Sequence, residues 1–194
     1  MVCNHPEKTR RRARNIARNL VFLIITVFTA QTALAEDDEF TPGKLDLEKL
    51  IECRAQVPDY NQLTTWMQAE PDALKLLGWS RTESGNPFLE QYKLDKPVKV
   101  FGSETMDIAF AGNGLLAVLD DGSASALAKR LEIPALIDSP AKFMGERVVA
   151  ENTDDTDEMI TVKTRISLNV STVESHPGKV LAGCSYSFSL DVKE

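Results

Sequence analysis

Histidine is nearly missing from this chain of 194 residues: His5 lies close to the start, and His176 is the other. A zinc site of the usual three or four nitrogen and sulfur ligands therefore has too few donors. A Ser/His or Cys/His catalytic pair would have to use His176, which sits in the turn Ser175-His176-Pro177-Gly178 and reads as a surface residue. Cysteine is scarce too, with Cys3, Cys53 and Cys184 and no C-x-x-C pair, so thiol redox chemistry has no motif to work with. The longest apolar run, Leu20 to Ala30, falls short of the ~20 residues that a membrane-spanning helix needs. Internal repeats and low-complexity linkers are also lacking.

Basic residues are scarce beyond the first 35 positions. Lys8, Arg10, Arg11, Arg12, Arg14 and Arg18 precede the apolar run, which is followed by Ala33-Leu34-Ala35 and then by Glu36-Asp37-Asp38-Glu39. A basic flank, a short apolar core and a small-x-small site are the order that signal peptidase reads. Residues 1–35 are thus expected to be a cleaved signal peptide, with Ala33, Ala35 and Glu36 at the cut; the alternative is an uncleaved N-terminal anchor. Arg10-Arg11 lacks the apolar pair of a twin-arginine signal, and without a Cys at the cut no lipoprotein anchor is expected. Removal of that segment takes Cys3 and six bases away, leaving 16 basic and 28 acidic residues, a net charge of −12. A domain so charged repels phosphate backbones and anionic headgroups, which excludes nucleic acid and the membrane surface and favours a basic protein partner.

In an oxidising compartment the two remaining thiols, Cys53 and Cys184, are expected to join, since no other pairing is open. Two separate buried thiols are the alternative.

Residues 36–43 read as a flexible leader, acidic and closed by Thr41-Pro42-Gly43. Helical spacing then predicts a helix over Leu45 to Ala55 with Cys53 in its last turns, a second after Asp59 and a third from Pro71 to Gly78. From Phe88 the period changes to two. Strands are expected over Leu89 to Leu94, Val98 to Phe101, Met106 to Ala111 and Leu115 to Leu119, with Asp95-Lys96-Pro97 and Gly112-Asn113-Gly114 as turns. A helix over Ala124 to Leu131 follows. Ile160 to Ser171 and Val180 to Val192 alternate strictly and read as a long hairpin with one buried face, paired outside by Arg147 to Glu151. The expected fold class is α+β: over residues 44–194, a helical N-terminal layer packed on an antiparallel sheet with a long C-terminal hairpin.

No catalytic, cofactor-binding or metal residue is assigned, and no cofactor is expected. Asn152 to Glu158 is rich in carboxylates but lacks the central Gly and ligand spacing of a calcium loop. The turn Ser84-Gly85-Asn86-Pro87 with Tyr92 downstream resembles the Ser-Gly loop and following Tyr of small periplasmic lysozyme inhibitors; the resemblance is confined to Ser84, Gly85 and Tyr92, at a different spacing. It implies a rigid turn with a short hydroxyl side chain that can enter an enzyme cleft. The hydroxyl-rich polar face of the long hairpin, with Lys163, Arg165 and Asn169, is the second candidate surface for a protein partner. The resulting expectation is an exported, periplasmic or extracellular, non-enzymatic protein-binding domain, inhibitor-like or accessory to the envelope. The alternative is an envelope hydrolase using carboxylates, which requires a deep cleft and an acid of raised pKa.

Overall fold

A computed structural model describes residues 40–156 and 158–193. The cleavage residues Ala33, Ala35 and Glu36 lie outside these. Of the expected leader, Phe40 packs its ring 4.8 Å from that of Trp66, and Pro42–Lys44 forms one 3-10 turn.

The expected helical layer is not formed. Among the described residues the helices are α1 (Leu47–Ile51), α2 (Val57–Ala69), α3 (Ala73–Leu77) and α4 (Ala124–Arg130). Only α2 exceeds two turns. Pro58 and Pro71 admit a helix only in its first turn, and Gly78 ends α3 in the left-handed region at φ 72°, so no segment is long enough to build a layer. Cys53 falls just past α1, itself left-handed at φ 58°.

The molecule is instead mostly one eight-stranded antiparallel sheet. Its strands are β1 (Trp79–Thr82), β2 (Glu90–Val100), β3 (Ser103–Ala111), β4 (Gly114–Leu119), β5 (Ala135–Asp138), β6 (Phe143–Asp154), β7 (Ile160–Ser171) and β8 (Val180–Val192). The spatial order is β1-β2-β3-β4-β8-β7-β6-β5. Asp95-Lys96-Pro97 does not separate two strands; it is absorbed into β2 as an irregularity between Lys93 and Val98. Pro97, which cannot donate to a ladder, sits in that break. The β2–β3 connection is Phe101-Gly102, both at positive φ (53° and 84°), the backbone that a two-residue hairpin turn requires. β1 and β5, four residues each, are too short to show a period and were not expected.

Helices α1, α2 and α4 cover one face of the sheet, where Leu50, Ile51, Leu63 and Leu127 meet Ile108, Leu115, Leu119, Leu168, Val170 and Tyr186. Burying such side chains contributes roughly 1.5–3 kcal/mol each. The other face carries a smaller cluster, Leu89, Ala109, Leu116, Val118 and Leu181, with Val173 packed against it. β4 lies at the centre and is buried on both sides.

Cys53 and Cys184 form a disulfide, with Cα atoms 5.1 Å apart across a separation of 131 residues. It ties the end of α1 to the middle of β8.

Candidate functional site

On the helix-covered face, the short helices leave the β1 end of the sheet only partly roofed. The register Trp79↔Leu94, Arg81↔Tyr92, Tyr92↔Ile108 and Glu90↔Phe110 sets Arg81, Glu90, Tyr92 and Phe110 side by side on that face. Above them α2 supplies Tyr60, Thr64 and Met67, and the start of α3 adds Pro71, Ala73 and Leu74. Between lies a cleft of about 640 Å3, which Glu70 and Gln68 also line.

The cleft is aromatic at its base. Tyr92 and Phe110 meet edge to face at 5.8 Å, Trp79 lies 6.0 Å from Tyr92, and Tyr60 stacks on Tyr186 at 5.0 Å. Such pairs fix ring positions as well as filling space. The Tyr60 hydroxyl donates to the Gly112 carbonyl, and burial pushes its pKa up to about 12. The Tyr186 hydroxyl donates to the Leu50 carbonyl at 2.7 Å, and burial raises its pKa as well.

At the rim, Arg81, Glu90 and Tyr92 form a closed triangle. The Arg81 Nη2 donates to Glu90 Oε2 at 2.8 Å and to the Tyr92 oxygen at 3.2 Å, while the Tyr92 hydroxyl donates to the same Glu90 oxygen at 2.9 Å. The guanidinium also lies 5.6 Å from the Tyr92 ring centre, within cation–π range. Burial is the main cause that raises the Tyr92 pKa; the Glu90 charge adds to it and Arg81 works against it, so the phenol stays a donor at neutral pH. A ring, a carboxylate and a guanidinium held together can recognise a charged side chain of either sign, or a planar group between the rings.

The two candidate surfaces lie in different parts of the sheet. Tyr92 lines the cleft, with its ring nearly buried. Ser84 and Gly85 lie in the loop after β1, on an open surface that shares Arg81 with the cleft. The Ser84 hydroxyl faces inward: its oxygen lies 2.8 Å from the carbonyls of Asn86 and Leu89 and accepts the Asn86 N–H. Lys163, Arg165 and Asn169 lie on the opposite face of the sheet. Lys163 pairs with Asp191 at 2.7 Å, Arg165 with Glu146 at 2.9 Å and Glu151 at 3.1 Å, and Asn169 donates to Ser185 and to the Ser167 carbonyl. These polar groups are engaged by their own neighbours.

Arg81, Glu90, Tyr60 and Phe110 were not singled out by sequence reasoning. Their association depends on β1, whose four residues carry no readable period, and on α2 and α3 lining the same cleft. Of the cleft residues, the sequence pointed only to Tyr92, downstream of the Ser84-Gly85 turn.

His176 is not the surface residue expected of a Pro-Gly turn; it is only 9% exposed. Its Nε2 meets Gln91 Oε1 at 2.8 Å and its Nδ1 meets the Ser175 Oγ at 2.8 Å, so the ring pins the β7–β8 turn to β2. Among the described residues no group of three His, Cys, Asp or Glu side chains is placed to hold a metal ion, and no helix is long and apolar enough to cross a membrane. Compared with known proteins, the chain matches no family model, no curated protein and no solved structure.

Proposed function

We propose that this chain is an exported, non-enzymatic binding domain that takes a basic segment of an envelope protein into the cleft between α2 and β1–β3. The observation that carries this reading is the juxtaposition of an aromatic base with the exposed Arg81–Glu90 pair that the buried Tyr92 anchors. A partner's lysine or arginine reaching Glu90 would meet a carboxylate and ring faces together, as Arg81 already does. The acidic balance of the chain beyond residue 35 favours the same class of partner through long-range attraction. Support for export comes from the three-part N-terminal segment and from the Cys53–Cys184 bond, because such bonds persist in oxidising compartments.

A carboxylate hydrolase would need a free acid and base facing the cleft. Glu90 accepts from both Arg81 and Tyr92, and Glu70 accepts the Asp72 N–H. Neither is poised for proton transfer, so the binding reading is preferred.

The test is capture from envelope extract with the purified chain and with Glu90→Lys, an exposed position whose change removes the acceptor of the Tyr92 hydroxyl, so the fold of the variant is checked by near-UV circular dichroism. A basic partner held by the wild type at low salt, released at high salt and held at least ~10-fold less tightly by Glu90→Lys is the expected result. Equal retention by both chains, or no partner at low salt, overturns the proposal.

A further inference from the structure

β8 outruns its neighbour. β4 pairs with Val180 to Ser185 only, whereas β7 accompanies β8 to Val192. Beyond Tyr186, one side of β8 therefore has no strand beside it among the described residues.

Two hydrogen bonds fix which backbone groups face that open side. The Tyr186 N–H donates to the Asn113 carbonyl on the β4 side at 2.9 Å, and the Lys193 N–H donates to the Met159 carbonyl on the β7 side at 2.9 Å. Successive residues of a strand send their N–H and C=O to opposite sides. Ser187, Ser189 and Asp191 therefore face β7, and Phe188, Leu190 and Val192 turn their backbone groups outward. Their side chains share the helix-covered face, but the helices do not reach so far: the three are 55%, 59% and 74% exposed. Open backbone groups alternating with exposed apolar side chains form an edge that attracts another strand.

We propose that this edge pairs antiparallel with β8 of a second copy of the chain, on a two-fold axis at Leu190. Another strand pairs such N–H and C=O groups at every second residue while covering the apolar side chains between them. β8 itself supplies the matching pattern. With Leu190 opposite Leu190 of the second copy, Phe188 falls opposite Val192, so all outward-facing residues exchange hydrogen bonds and all their side chains meet apolar neighbours. On the other face Ser189 falls opposite Asp191 and Ser187 opposite Lys193, with no like charges directly opposed. Asp191 is itself paired with Lys163 at 2.7 Å. A one-residue slip would set outward groups against inward ones, and a centre at Ser189 would drive Val192, a residue of the strand itself, into the place beside Tyr186 that Asn113 holds, where the Leu190 centre brings only Glu194. The pairing joins two eight-stranded sheets edge to edge through residues other than Arg81, Glu90 and Tyr92, so it rests on different groups from the function proposed above.

Sedimentation velocity on the purified chain over ~1–100 µM is expected to show a dimer that tightens with salt, because salt screens the repulsion between two acidic bodies. The cleft partner shows the opposite salt dependence, so the two proposals fail separately. Leu190→Arg, an exposed change whose folding is checked by near-UV circular dichroism, should weaken the dimer at least ~10-fold by placing two cations on the axis. Cysteines test the register. Under mild oxidation Leu190→Cys should crosslink between chains ~10-fold faster than Val192→Cys, although Val192 is the more exposed, because only residue 190 faces its own copy. A monomer at every concentration, a dimer indifferent to Leu190→Arg, or equal crosslinking at both positions overturns the proposal.

Discussion

In the turn between β7 and β8, burial pushes the His176 pKa below its ordinary value; Asp107 opposes the shift and Lys179 adds to it. The fold therefore prefers the neutral ring. The direction of the linkage follows: stability from this residue is complete above about pH 6.5, the value in the unfolded chain, and is lost as pH falls below it toward the lower folded pKa. Thermal unfolding compared at about pH 7.5 and about pH 5 should show a drop for the wild type that His176→Asn reduces, since the variant has no imidazole to charge. An equal drop in both would mean that the ring is not held neutral. This role was hidden in the sequence because Gln91, the partner that buries His176, is 85 residues away and was read only as part of a strand. At the same scale, Tyr92 was noticed for the wrong surroundings: it was read with Ser84 and Gly85, but its partners are Arg81 and Glu90.

Among the elements, β7 and β8 were legible because alternation over a dozen residues is a strong signal, and the turn between them holds Pro177 and Gly178. The alternation does not say how far the cover extends. Val180 to Tyr186 and Phe188 to Val192 have the same period, yet helices lie over the first stretch and none over the second, so the expected single buried face is only half realised. Gly183 marks where β8 passes β4 most closely: a Cβ there would come 2.2 Å from the Leu115 carbonyl oxygen. Gly183→Ala must push the two central strands apart. An overpacking cost of about 1–3 kcal/mol is expected, read as a lower midpoint in urea with an unchanged slope. A midpoint equal to that of the wild type would show that β4 yields without loss. The helices failed as a layer for the reason that makes them short: α1 and α3 have five residues each, below what helix formation sustains without tertiary support.

Across the whole molecule, the Cys53–Cys184 bond closes a loop of 131 residues, linking the first helix to the last strand. Constraint of so long a loop in the unfolded chain is worth about 4–5 kcal/mol in the entropic account. The double variant Cys53→Ala with Cys184→Ala should lose most of that in urea unfolding, and reductant should bring the wild type close to the variant while leaving the variant unmoved. If reductant leaves the wild type unchanged, the bond contributes little. What the sequence determined by itself was local or countable: the turns at Gly112-Asn113 and Pro177-Gly178, the period of the long hairpin, and a cysteine pairing with a single solution once Cys3 is set aside with the N-terminal segment. Which faces are roofed, where β8 is left open and how Arg81, Glu90 and Tyr92 meet were decided only by the tertiary structure. Burial and contact depend on which distant segments arrive alongside, and a short strand such as β1 carries no period that would announce its neighbours.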